Sequence, residues 1–189
     1  MQEKISHEEI KELGHDLKDD LKSIIREIPD FPKKGILFRD ITPLLRHPKY
    51  FNHAIEMMLK ALHGKKIDVV ASAESRGFIF GSILAHRLGI AFVPIRKPGK
   101  LPHKTIRQDF ATEYSTDAFE IHEDAIKKGE KVLIVDDLLA TGGTAKAAAD
   151  LVKRLGGNVV GCMFLIELAE LKGREMLKGY DVYSIIRYD

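Results

Sequence analysis

Residues 131–144, KVLIVDDLLATGGT, constrain this chain more than any other stretch. Val132, Leu133, Ile134 and Val135 form the continuous apolar run of a strand buried on both faces. Asp136 and Asp137 follow at its end. Ala140, Thr141, Gly142, Gly143 and Thr144 then make a small-residue loop, and an alanine-rich helical run begins at Ala145. Such a loop opening a helix gathers backbone N–H groups and the positive end of the helix dipole at one point, which suits a phosphate. Glycines let the backbone come close, and the threonine hydroxyls add donors. The two acids, when ionised, only accept hydrogen bonds, so they suit sugar hydroxyls. No lysine follows Gly143, which excludes GxxxxGK[ST], and the stretch holds no GxGxxG.

The rest of the chain is compatible with one α/β domain. At 189 residues it is long enough for a sizeable core. Thirty basic and 28 acidic residues leave a formal charge of +2, too balanced to draw the protein to nucleic acid or membrane. A single cysteine, Cys162, rules out an internal disulfide framework, and its apolar surroundings predict a buried thiol. No apolar run reaches the roughly 18 residues of a membrane span, and the charged N-terminus lacks the apolar core of a signal peptide. A cytoplasmic protein is expected.

Ser6 and Glu9 form a capping box. Ile10, Leu13, Leu17, Leu21, Ile24, Ile25 and Ile28 then recur at mostly helical spacing, predicting a helix that Pro29 ends. Residues 29–45 carry three prolines and Gly35, yet Phe31, Ile36, Leu37, Phe38 and Ile41 are too apolar for a solvated linker. A structured loop is expected, either a lid over something flat or a pin for the preceding helix. A helix from Pro48 to Gly64, a strand over 67–73, the loop Glu74, Ser75, Arg76 and Gly77, a helix after it and a strand over 91–95 follow. Residues 96–112 are basic. ATEYS and DAFEIHE alternate and predict a hairpin turning near Thr116 and Asp117, inserted as a flap. Beyond the central stretch come a strand over 158–167, a helix over 170–178 and a strand over 180–187. The succession predicts a parallel sheet whose ligand lies outside the carboxyl ends of its strands.

The loop DFP ahead of GILFRDITPLL, then ESRGFIFG, IRKPGKLP, EYS and VDDLLATGGT in that order resemble the adenine phosphoribosyltransferases of the type I phosphoribosyltransferase family. The match runs from about residue 28 to the C-terminus. The resemblance implies the type I phosphoribosyltransferase fold over a single domain, residues 1–189. This is a central, mainly parallel sheet flanked by helices. To it are added an N-terminal helix over about 1–28, a base-binding hood over about 29–45, and a flexible loop and β-hairpin flap over about 96–123. It implies transfer of the phosphoribosyl group of phosphoribosyl pyrophosphate (PRPP) to N9 of adenine, giving AMP and pyrophosphate. Mg²⁺ would be carried by PRPP or pyrophosphate, reached at most through water from Asp136 or Asp137, and the active form would be a homodimer.

The same resemblance distributes roles. Residues 140–144 hold the 5-phosphate, and Asp136 and Asp137 the ribose hydroxyls. Arg76, Lys97, Lys100 and Arg96, the last across a subunit boundary, meet pyrophosphate. A cis peptide between Glu74 and Ser75 aims an N–H at it. Phe38 and Leu138 sandwich the base while main-chain groups of Leu37 and Arg39 read its edge. Glu113 handles a proton and Tyr114 closes over the site. Two alternatives stand beside this: transfer to another base (xanthine, guanine or orotate), or a non-catalytic PRPP- or purine-sensing regulator. The N-terminal helix, acidic in its first part, is unlike a basic DNA-binding module, and both acids are present, which favours catalysis.

Overall fold

Pro29 shapes the first elements of the computed structural model, which describes residues 21–111 and 116–189. Residues 21–24 are helical, but the helix does not continue to residue 28 as the apolar spacing predicts. Strand β1 (Arg26–Pro29) pairs antiparallel with β2 (Leu37–Asp40), with Ile28 opposite Phe38. A residue before proline is disfavoured in the helical region, and pairing with β2 supplies the extended alternative. The part of the expected helix before residue 21 lies outside the described residues.

The connection between these strands is tight. Asp30 has φ +58, and its Oδ1 accepts the Gly35 N–H at 2.6 Å. The Phe31–Pro32 bond is cis, and the Phe31 ring meets the Phe38 ring edge-on at 5.1 Å. The segment expected as a structured loop is a hairpin that leads into helix α1 (Thr42–Arg46). The Asp40 carboxylate accepts the Thr42 N–H at 2.9 Å and its hydroxyl at 2.8 Å, which secures the helix start. Helix α2 (Pro48–Ala61) follows, with proline at its first position. The chain divides into two compact units, the first ending at Glu56 and the second running Met57–Asp189.

In the second unit, β3 (Val69–Ala73) is buried at all five positions. Helix α3 (Gly77–Leu88) and strand β4 (Ala91–Ile95) follow it. Strands β5 (Thr105–Ala111) and β6 (Thr116–His122) pair antiparallel in a sheet of their own. The hairpin is thus present but displaced. Its first strand is TIRQDFA, not ATEYS, and Thr116 and Asp117 lie in β6 rather than in the turn. Ile106 and Phe110 supply the apolar alternation that the charges of Arg107 and Asp109 obscure.

Strand β7 (Lys131–Leu139), helix α4 (Gly143–Arg154), strand β8 (Asn158–Leu168) and strand β9 (Val182–Tyr188) complete a parallel five-stranded sheet in the order β4-β3-β7-β8-β9. Between β8 and β9 the expected single helix is split into a 3₁₀ turn, Ala169–Leu171, and a short helix α5 (Gly173–Met176). Lys172, at φ +52, interrupts it. Ala147, Ala148, Leu151 and Val152 of α4 are buried with Val132 and Ile134 of β7 in one core. Alanines on this face let the helix lie close, and burying each larger side chain contributes about 1.5–3 kcal/mol. Cys162 is buried in the same core, and burial pushes its thiol up to about 12.

Candidate active site

Strand order fixes where the site can be. From β3 the chain passes through α3 to β4 on one side; from β7 it passes through α4 to β8 on the other. The connections diverge between β3 and β7, which opens a crevice at the carboxyl edge of this pair. Pairing of β7 with β3 stops at Val135, while pairing with β8 continues to Leu139. Asp136 and Asp137 are therefore still strand residues, held by β8 on one side and facing the crevice where β3 has departed. From sequence these acids are expected at the strand's end; the added pairing with β8 makes them more rigid than a loop.

The loop after β3 comes very close to these acids. A Cβ on Gly77 would lie 2.9 Å from Asp136 Oδ1 and 3.0 Å from the Val135 carbonyl oxygen, so only glycine fits there without a shift. Arg76 Nε lies 2.6 Å from Asp137 Oδ2, and the Asp137 N–H donates to Asp136 Oδ1 at 2.9 Å. Burial, then the adjacent Asp137 charge, pushes the Asp136 carboxyl well above the ordinary carboxylate range. The Glu74–Ser75 peptide bond is cis.

Two helix N-termini open here. Arg76 precedes α3 and Gly142, at φ +88, precedes α4; no side chain caps either helix. Both helices have 12 residues, so each presents first-turn N–H groups and a full dipole to an anion. The cleft they share has a volume of about 410 Å³. Its lining includes Glu74, Ser75, Arg76 and Lys97 from one side, and Asp136, Asp137, Leu138, Ala140, Thr141, Gly142 and Thr144 from the other.

Arg96, Lys100 and Gly143 do not line this cleft. The Arg96 guanidinium donates to Glu74 Oε2 at 2.9 and 3.1 Å, and the Lys97 N–H to Glu74 Oε1 at 2.5 Å. Burial alone would raise the Glu74 carboxyl, but the Lys97 N–H and the Arg96 guanidinium outweigh it and hold it below its usual value. The Glu74 side chain thus ties the end of β4 to the loop after β3. Leu37, Phe38 and Arg39 lie on β2, where Arg39 forms an ion pair with Glu27. Glu113 and Tyr114 lie outside the described residues.

Five lining residues were not foreseen: Leu139 and Ala145, which flank the small-residue loop, and Phe110, Asp117 and Phe119 of the hairpin. Asp117 Oδ2 lies 2.9 Å from Lys97 Nζ, and this hydrogen bond holds the Asp117 carboxyl below its usual value. The alternation in TIRQDFA was the available signal for Phe110. Among the described residues no group of three or more His, Cys, Asp or Glu could hold a metal.

A family profile described as "Phosphoribosyl transferase domain" matches residues 40–187. An adenine phosphoribosyltransferase from Caldanaerobacter subterraneus subsp. tengcongensis is 58% identical over 170 residues, covering 90% of this chain and 98% of that protein. The chain belongs to the adenine phosphoribosyltransferase family. The crystal structure of the adenine phosphoribosyltransferase from Thermoanaerobacter pseudethanolicus superposes with a TM-score of 0.89 at 57% identity, covering 90% of this chain and 99% of that one. The Saccharomyces cerevisiae family member, in complex with an imino-altritol bisphosphate and adenine, superposes at 0.85 and 41% identity, covering 91% and 99%. The chain thus has the type I phosphoribosyltransferase fold, a central parallel sheet flanked by helices.

Proposed function

We propose that the chain transfers the phosphoribosyl group of PRPP to N9 of adenine, releasing pyrophosphate and forming AMP, in purine salvage. One observation carries this: two uncapped helix N-termini open into one cleft with the Asp136–Asp137 pair between them. The substrate has this shape, with a phosphate at one end, a pyrophosphate at the other and a diol between. Close relatives bear the same activity in their names.

Residues 140–144 take the 5-phosphate. The dipole contributes only about 0.3–2 kcal/mol, so direct N–H and hydroxyl bonds supply most of the binding. Asp136 and Asp137 accept from the ribose hydroxyls and face the positive charge that grows on the ring as the bond from C1 to pyrophosphate breaks. The electron pair leaves with pyrophosphate, and adenine N9 bonds to C1 and loses its proton. Arg76, Lys97 and the Ser75 N–H stabilise the leaving group; Lys97 does so by turning from Asp117. Arg96 and Lys100 shape this loop, with the Arg96 guanidinium on Glu74. Leu138 and, by resemblance, Leu37, Phe38 and Arg39 recognise adenine; Glu113 handles the proton and Tyr114 closes the site.

Mg²⁺ fits this cleft as a substrate-borne ion. It keeps waters and takes few carboxylates beside phosphate oxygens; of the carboxylates lining the cleft, Glu74 is held by Arg96 and Asp117 by Lys97, while Asp136 and Asp137 stand between the two helix N-termini. When bound, it neutralises charge on the pyrophosphate. We further propose a cytoplasmic homodimer. Among the described residues no helix is long and apolar enough to cross a membrane.

The test is pyrophosphate release from PRPP with adenine, hypoxanthine, guanine and xanthine in turn. Turnover with adenine alone is expected. Preference for another base would assign the alternative transferase, and binding of PRPP without turnover would indicate a sensor.

A further inference from the structure

Glu167 is a carboxylate only 3% exposed at the end of β8, where Cys162, Met163, Phe164, Leu165 and Ile166 are all buried. A charge there is costly unless paired. It is paired: Arg174 Nε and Nη2 donate to its two oxygens at 2.7 Å each, and the Ser184 hydroxyl donates at 2.5 Å. Arg174 Nη1 also donates to the Val182 carbonyl at 2.9 Å. An apolar residue would fill this place as well or better for stability, so the clamp is better explained by what it positions.

It positions Gly173. Glu167 is the strand partner of Leu139, the last residue of β7 before the small-residue loop. Arg174, anchored to Glu167, holds the preceding glycine directly behind that loop. A Cβ on Gly173 would lie 2.2 Å from the Ala140 carbonyl oxygen and 2.8 Å from Leu139 Cδ1. A Cβ on Gly142 would lie 2.5 Å from the Gly173 carbonyl oxygen. The two backbones therefore touch in both directions, with no side chain between them.

The geometry points to Gly173, held by the Glu167–Arg174 clamp, as a positioning element for the 5-phosphate loop. It braces Ala140 and Gly142 from behind, so that the loop and the N-terminus of α4 keep their shape before the phosphate arrives. Preorganised donors bind without the cost of reordering. The inference rests on the reading of residues 140–144 as the 5-phosphate site.

Calorimetric binding of AMP and, separately, of pyrophosphate, together with steady-state kinetics, tests it on Gly173→Ala, Arg174→Ala, Arg174→Lys and Glu167→Gln. Displacing the loop should weaken AMP binding and raise the KM for PRPP about 10- to 100-fold, with kcat and pyrophosphate affinity within about threefold of wild type. Arg174→Lys should recover part of the loss. Should Arg174→Ala fail to fold, Gly173→Ala and Glu167→Gln carry the test. Wild-type AMP affinity in the folded variants, or equal loss for AMP and pyrophosphate, overturns the inference. Thr144→Ala separates the two levels. If it weakens AMP binding while the Gly173 and Arg174 variants do not, the positioning role fails alone. If it also binds AMP normally, the 5-phosphate reading fails with it.

Discussion

Arg76 and Asp137 form an ion pair, Nε to Oδ2 at 2.6 Å, that ties the loop ahead of α3 to the acid pair of β7. The carboxylate is 7% exposed and the guanidinium 40%, so one partner is anchored while the other reaches the cleft. The pair links the loop proposed to meet pyrophosphate to the acids proposed to hold the ribose, two segments some 60 residues apart in sequence.

Arg76→Ala should lower kcat about 10²–10³-fold, the usual effect of removing a charge-stabilising donor. It also leaves the buried Asp137 without its cation. Arg76→Lys keeps charge but loses the planar fork and should fall between. Steady-state kinetics in both directions check this; an Arg76→Ala enzyme as active as wild type would remove Arg76 from leaving-group stabilisation.

The raised Asp136 carboxyl gives a pH dependence. Its neutral form is favoured on folding, so its contribution to stability is full below the ordinary carboxylate pKa and is lost as pH rises through the raised value. Ionised, Asp136 is the stronger acceptor for the ribose hydroxyls proposed to meet it. PRPP affinity through this group should therefore fall as pH drops below the raised pKa. Asp136→Asn should flatten this part of the KM profile for PRPP and should remove the loss of stability on raising pH. Parallel pH profiles of wild type and variant measure both effects.

Gly81 and Ser72 offer a stability test away from the chemistry. A Cβ on Gly81 would lie 1.9 Å from Ser72 Oγ, a buried hydroxyl with no hydrogen-bond partner among the described residues. Gly81→Ala should destabilise by about 1–3 kcal/mol through overpacking. Ser72→Ala should be nearly neutral, since it removes an unsatisfied polar atom. The double variant should recover much of the loss, read as the coupling in a denaturant-unfolding cycle.

Glu113 lies outside the described residues, so its role as proton handler rests on the resemblance. Glu113→Ala should lower kcat about 10²–10⁴-fold, the usual worth of general acid–base catalysis, with little effect on PRPP binding. A kcat within about threefold of wild type would end that role.

What the sequence disclosed follows the range of the forces involved. The apolar run of β7, its acids and the small-residue loop are neighbours in sequence, so their chemistry is local and legible. Strands β3 and β4 were readable for the same reason. The stripe through Ile24, Ile25 and Ile28 suggested a longer helix because pairing with β2, set by residues 37–40, is not visible in a window. Arg107 and Asp109 hid β5 inside a basic stretch. That Glu167 meets Arg174, and that Gly173 meets Gly142, follow only once β7 and β8 are in register.

The central proposal is one cleft that receives a phosphate at α4 and a pyrophosphate at α3. A crystal structure with AMP and pyrophosphate bound together tests this most directly. The 5-phosphate should lie on the backbone N–H groups and hydroxyls of residues 140–144, with the ribose diol on Asp136 and Asp137 and pyrophosphate at Ser75 and Arg76. Pyrophosphate on the α4 loop, or AMP bound outside the crevice between β3 and β7, would contradict it.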